Sequence, residues 1–330
     1  MKLYKILISA IISTLFVSCG AKWTTDYDSA LKTAQKKNKD IFLVFTGDDW
    51  TDHSIPFKEN ILNKKEFLSR YSKDFVFLNI DFSQGEFAKS KAADDSTEEE
   101  KKLAEKIAAE YKFKETLGRS YSVKFWPAIY ICSAEGYVLE NVIFDSDKDT
   151  TCSVEEYIAK LEESRVKADE IKSLVLNVRN SNGVEKAKAI DELIKKSNPR
   201  FSDLYKQLIY QFPDLDPENQ TERLGFYELA AAYYYSYEAT EKKENPAKPF
   251  LDVIEKGNLS ADQIQEAYYM AAYSLINGEK FDSALVIEYL EKAYNANPSG
   301  TNAFKIIQNL QQMKRFSELE KAQDNQANGE

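Results

Sequence analysis

Ile41-Phe42-Leu43-Val44-Phe45-Thr46-Gly47-Asp48-Asp49-Trp50-Thr51-Asp52-His53-Ser54 is the stretch on which the fold turns. Consecutive strand residues point to opposite faces, so an unbroken apolar run such as Ile41 to Phe45 predicts a strand buried on both sides. Gly47 and two acids end the run. A helix is expected from about Thr51, with Phe57, Ile61 and Leu62 as its apolar stripe before Phe67 and Leu68. Upstream, Ala30, Leu31 and Ala34 follow Tyr27 at helical spacing and lead into the solvated end Lys36-Lys37-Asn38-Lys39.

Downstream the same alternation of periods continues. Phe75 to Phe82 reads as a second buried strand, followed by a polar insertion from Gln84 to Ser96. Thr97 ahead of Glu98, Glu99 and Glu100 forms a capping box, which predicts a helix with Leu103, Ile107 and Tyr111 on its inner face. Ala128 to Cys132 and Tyr137 to Leu139 are two strands joined by Ser133-Ala134-Glu135-Gly136, a turn short enough for an antiparallel hairpin. A helix from Ser153, with Tyr157, Ile158 and Leu161 inward, closes the unit. The order is helix, strand, helix, strand, helix, strand, strand, helix, which right-handed crossovers pack as one covered sheet.

Phe45-Thr46-Gly47-Asp48-Asp49-Trp50 before a helix and Phe125-Trp126-Pro127-Ala128 before a strand together resemble the thioredoxin superfamily over residues 24–166. The first resembles the family's strand, loop and tryptophan ahead of its Cys-x-x-Cys. The second resembles the loop that carries a cis proline opposite that motif, so Pro127 is the candidate. The resemblance implies an α/β thioredoxin-like domain. Where the two cysteines would stand, the chain has Thr51-Asp52-His53-Ser54. Thiol exchange needs a thiolate at the helix start and a resolving thiol one turn later; Thr51 and Ser54 are degenerate redox positions that supply neither, and no catalytic residue is assigned. Thr51 or Asp52 is expected to cap the helix, with Asp48 and Asp49 favouring its positive end and His53 solvated. A surface retained around Trp50, Trp126 and Pro127 would bind peptides by strand addition at an edge.

At the N-terminus, Lys2 and Lys5 precede an apolar run from Ile6 to Val17 that closes on Ser18-Cys19-Gly20. This is shorter than the roughly 20 residues of a membrane-spanning helix and reads as a signal peptide over residues 1–18. Leu15-Phe16-Val17-Ser18-Cys19 resembles a bacterial lipobox, with Phe16 in place of the usual leucine. The resemblance implies acylation at Cys19, a lipid-anchored segment 19–23, and a protein exported to the cell envelope and held on its inner or outer membrane.

The chain carries a net charge of −10, 43% apolar and 13% aromatic residues. Such acidity repels phosphate backbones and excludes nucleic acid as a partner. Beyond Cys19 only Cys132 and Cys152 remain, with His53 the single histidine, too few for a disulfide scaffold or a metal site; no cofactor or metal is expected. Cys132 at the far end of its strand and Cys152 at the return of the next are about four strand steps of roughly 3.3 Å apart, against the roughly 7 Å that a disulfide allows.

After Val166 the strands stop and apolar residues recur at three and four: Ile171, Leu174, Val178, then Ala187, Ile190 and Ile194 before Asn198-Pro199. Phe212-Pro213 and Asn245-Pro246 are expected to break the chain again. Ala271, Ala272, Gly278, Phe281, Ala284, Ala293 and Pro298 resemble the small-residue, turn and proline positions of a tetratricopeptide repeat, with wider spacing. Glu228 to Tyr237 reads as the first helix of another. An all-α, tetratricopeptide-like domain is therefore expected over 167–318, with a frayed tail over 319–330. Lacking reactive groups, the protein is expected to act as a redox-inactive binding, scaffolding or chaperone-like module for envelope proteins or peptides. The alternative is a thiol-disulfide oxidoreductase or isomerase; a third reading is a hydrolase built on His53.

Overall fold

In a computed structural model, the structure describes residues 22–276 and 281–327. Cys19, the leader before it and Gly278 lie outside these residues. The chain divides into two compact units, the first taking 22–119 and 123–168, the second 120–122 and 169–327.

In the first unit the elements run α1 (Tyr27–Lys37), β1 (Asp40–Thr46), α2 (Ser54–Phe57) continued by a π turn Lys58–Leu62, α3 (Lys65–Tyr71) and β2 (Phe75–Asp81). Then come α4 (Gln84–Ala88), α5 (Glu98–Ser120), β3 (Ala128–Cys132), β4 (Val138–Val142), α6 (Ser146–Asp149) and α7 (Val154–Asn180). The four strands lie in the order β2-β1-β3-β4. β1 runs parallel to β2, with Phe42 opposite Phe77, and antiparallel to β3, with Phe42 opposite Ile131. Every residue from Ile41 to Phe45 is closed to solvent, which requires cover on both faces of the sheet. Phe42 meets Phe67, Phe75, Phe77 and Trp23 edge-on or tilted, a geometry worth about 0.5–1.5 kcal/mol per pair beyond burial. Thr24 makes an isolated parallel bridge to Leu78 and so covers part of the β2 edge.

Caps explain most boundaries. Asp26 accepts from Ser29 N at the start of α1, and Thr97 and Glu100 exchange backbone and side-chain bonds before α5. Ser153 and Glu156 repeat the device before α7. The hairpin turns at Gly136 with φ 88°, a left-handed value that glycine adopts without strain.

Several expected details move. On α5 Tyr111 is buried and Ile107 half-buried as expected, but Leu103 is exposed and Ala104 is buried in its place, with Leu117 continuing the face; the Tyr111 hydroxyl donates to the Ser83 carbonyl and holds that face. The polar insertion is not structureless: α4 forms there, capped by Ser83, with Asp49 accepting from its first two amides. Cys132 and Cys152, set too far apart by the strand count for a disulfide, are both thiols. The passage through Val166 is a continuous helix, α7, for which the intervening sequence contains no breaker.

The second unit is entirely helical among the described residues: the remainder of α7, then α8 (Gly183–Lys196), a 3-10 turn Pro199–Tyr205, α9 (Lys206–Leu215), α10 (Leu224–Glu241), α11 (Lys248–Glu255), α12 (Ala261–Ile276), α13 (Ser283–Ala296) and α14 (Ala303–Ala327). From α9 onward each helix packs on its neighbour in sequence. Ala267, Ala271, Ala272 and Ala293 are fully buried, which lets α12 and α13 approach closely. Ala284 and Phe281 instead face outward, since Asp282 caps α13 and the first residue turned inward is Val286. Pro213 sits inside α9 and does not break it; in the last turn its missing N–H costs one hydrogen bond, and the helix ends at Asp216. α14 continues through the segment expected to fray, with no proline or glycine before Ala327 to stop it.

Candidate functional site

The loop between β1 and α2 faces the loop that enters β3. Gly47 follows the strand because Trp50 folds back over it: a Cβ there would lie 2.4 Å from the indole. Trp50 Nε1 donates to the Phe82 carbonyl at 2.8 Å, fixing the ring. Its face meets the Trp126 ring with centroids 5.3 Å apart, and Trp126 in turn meets Phe82 at 5.9 Å. The Trp126–Pro127 bond is cis. Pro127 is buried, Trp126 half-buried, Trp50 41% exposed and the neighbouring Phe125 80% exposed. An apolar ledge of Trp50, Phe125 and Trp126 results.

This ledge is not at a sheet edge. β3 lies between β1 and β4, and its first paired residue is Ala128, opposite Phe45. Phe125 and Trp126 therefore belong to a loop entering an interior strand, and it is this loop, not an edge strand, that a peptide backbone would meet.

Thr51 and Ser54 are brought together. Their hydroxyls lie 2.5 Å apart, and Thr51 Oγ1 also accepts from Ser54 N at 3.3 Å, the capping contact expected of it. Ser54 is fully buried, and its Oγ accepts from Gly47 N at 3.2 Å. The pair thus joins the two ends of the loop by hydrogen bonds. His53 occupies the cap position of α2 without a capping bond, half-buried against Phe144 at 6.3 Å. No hydrogen bond joins it to either hydroxyl among the described residues. The two hydroxyls therefore bond to each other and to the loop backbone, clasping its ends.

The two acids of the loop do not serve the start of α2. Asp48 pairs with Lys58. Asp49 accepts from Ser83 Oγ, Gln84 N and Gly85 N at 2.6–2.8 Å, and the Gly85 amide first, then the Ser83 hydroxyl, hold its carboxyl below the usual range. Its role is to cap α4 across the loop. Asp81 accepts from Thr46 Oγ1 and Asp48 N, at 3.1 and 3.0 Å, and so ties the end of β2 to the same loop. Away from this site, Cys152 is half-buried, and burial, followed by Asp149, pushes its thiol up, the reverse of what a reactive cysteine needs. Sequence reasoning missed Phe125 as part of the ledge; its position beside Trp126 in a loop before a strand was the available signal.

Comparison with known proteins identifies the first unit's fold. Residues 27–143 match the family described as "Thioredoxin-like domain", and residues 224–319 match one described as "Uncharacterised protein C-terminal domain". The chain is 26% identical over 296 residues to an "Uncharacterized protein" of Treponema pallidum (strain Nichols), spanning 88% of each. Over 60 residues it is 25% identical to the "Thioredoxin-related protein DsbJ" of Chlamydia pneumoniae, 18% of this chain and 17% of that one. A solved structure titled "DsbH Oxidoreductase" aligns at 21% identity with a TM-score of 0.33, over 49% of this chain and 94% of that one.

Proposed function

Residues 27–143 being a thioredoxin-like domain, we propose that it works as a redox-silent binding module of a lipid-anchored envelope protein, holding unfolded segments or peptides of other envelope proteins on the ledge of Trp50, Phe125 and Trp126. The observation that carries this reading is the hydroxyl pair of Thr51 and Ser54, 2.5 Å apart, in place of thiols. A helix start lowers a thiol pKa by a few units at most, and an alcohol begins far higher. What the fold keeps without its thiols is an exposed aromatic surface beside a proline loop, the kind of patch that marks an interaction site. Export and acylation at Cys19 are supported by the short apolar leader and the cysteine that follows it. The similarity over 60 residues to one thioredoxin-related Dsb protein is in keeping with an envelope location.

Insulin-disulfide reduction with dithiothreitol tests the redox half. No turnover above the blank is expected. Turnover that disappears in the Cys132→Ala/Cys152→Ala variant would restore the oxidoreductase reading. Binding of reduced, carboxymethylated α-lactalbumin tests the other half: the full chain should retain it, and Phe125→Ala should weaken retention without altering the melting curve. Metabolic labelling with a fatty acid should mark the native protein and not Cys19→Ala.

A further inference from the structure

In the second unit, α9, α10 and α11 enclose a groove of about 460 Å³. Its floor is one face of α10, Glu228, Ala231, Ala232 and Tyr235, at the spacing that brings side chains into line. The two alanines give it depth. Pro249, Asp252 and Val253 of α11, with Lys256 just past its end, form one wall, and Tyr210, Pro213 and Asp214 of α9 the other.

The groove combines an aromatic platform with unspent negative charge. Tyr210 and Tyr235 stack with centroids 4.5 Å apart and planes within 5°. Tyr210 is anchored because its hydroxyl donates to Glu238 at 3.1 Å, while Tyr235 remains 45% exposed. On the floor, buried Glu228 is neutralised by Lys256 at 3.1 Å and by the Asn258 amide at 3.0 Å. The other two carboxylates are not so compensated. Asp252 has only a solvent-exposed pair with Lys248, worth a few tenths of a kcal/mol. Asp214 is exposed and makes no ion pair or hydrogen bond among the described residues.

We propose that this groove binds an extended peptide segment bearing an arginine side chain, its guanidinium laid on Tyr235 and paired with Asp252 or Asp214. A planar, weakly hydrated cation gains from a tyrosine face and from a carboxylate at once, and arginine does both better than lysine. The net charge of −10 favours the approach of such a ligand. From Glu228 to Tyr235 the floor spans about 10 Å at roughly 1.5 Å per residue, the length of about three extended residues. Prolines 213 and 249 line the walls with apolar rings and no N–H, so selectivity comes from the cation, not from backbone pairing.

The test uses the full chain and pools of acetylated hexapeptide amides, each pool fixed at one position as arginine, lysine, alanine or glutamate, with binding read by fluorescence polarisation. The arginine pool should bind best, lysine less well and glutamate worst, with affinity falling as salt rises. Asp214→Asn/Asp252→Asn, changed only at exposed carboxylates, should weaken the arginine pool about tenfold while the far-UV melting curve stays in place. Tyr235→Ala should also weaken it, and Tyr235→Phe should restore it. Lys36→Ala/Lys37→Ala, at the solvated end of α1 in the first unit, should leave it unchanged. An arginine pool bound no better than the alanine pool, or binding insensitive to the asparagine pair, would each overturn the assignment.

Discussion

Replacing Thr51 and Ser54 by cysteine measures whether the clasp stands where a disulfide would. The two hydroxyl oxygens are 2.5 Å apart, a disulfide needs about 2.05 Å between sulfurs, and carbon–sulfur bonds are longer than carbon–oxygen bonds, so sulfurs in the same rotamers can close the gap without moving the backbone. For a closed loop of four residues, the loss of chain entropy in the unfolded state is about 6 cal/mol/K, or about 2 kcal/mol at 25 °C. In a unit of this size each kcal/mol moves the melting point by about 2–4 °C, so oxidised Thr51→Cys/Ser54→Cys should unfold about 4–8 °C above its reduced form. All three tryptophans, Trp23, Trp50 and Trp126, lie in the first unit, so tryptophan fluorescence follows that unit alone. Peptide mapping by mass spectrometry locates the new bridge, and with dithiothreitol as the electron source the reduced variant should reduce insulin faster than the native chain. Cysteines 51 and 54 that remain unlinked under oxidised glutathione, or an oxidised form melting at or below the reduced one, would refute the superposition of hydroxyls on sulfurs.

Gly47→Ala should push Trp50 off its seat, because the new Cβ would lie 2.4 Å from the indole; a destabilisation of about 1–3 kcal/mol and a red-shifted tryptophan emission are expected, with unchanged emission as the contrary result. In the second unit, Asp191 accepts from Arg223 Nε and the Tyr227 hydroxyl, each at 3.0 Å, and pairs with Lys195. Burial raises its carboxyl, but Lys195, Arg223 and Tyr227 together hold it below the ordinary range. With the folded value below the unfolded one, the stabilisation is present above the ordinary aspartate range of about 3.9 and is lost as pH falls through the folded value. Asp191→Asn should therefore cost about 2 kcal/mol near neutrality and flatten the acid limb of the far-UV melting profile.

Local patterns carried much of this protein. Ile41 to Phe45 and Phe75 to Leu78 could be read as strands because burial on both faces demands unbroken apolar runs, and Thr97 with Glu100 or Ser153 with Glu156 marks a helix start within four residues. The absence of thiols at Thr51 and Ser54 is a matter of composition and is visible in the sequence alone. What depends on partners distant in the chain was not visible. Leu103 and Ala104 are both compatible with a helical stripe, and only the Tyr111 contact with Ser83 selects the face. Trp126 was legible as part of a site, yet β3 becomes an interior strand only because β4 pairs beyond it. The groove of Tyr235, Asp214 and Asp252 draws on three helices whose spacing in sequence shows no common pattern; packing places their exposed faces side by side. Periodicity reports what each residue asks of its immediate neighbours, whereas a site is made by which faces meet, and that is decided by side-chain volume and hydrogen bonding between elements.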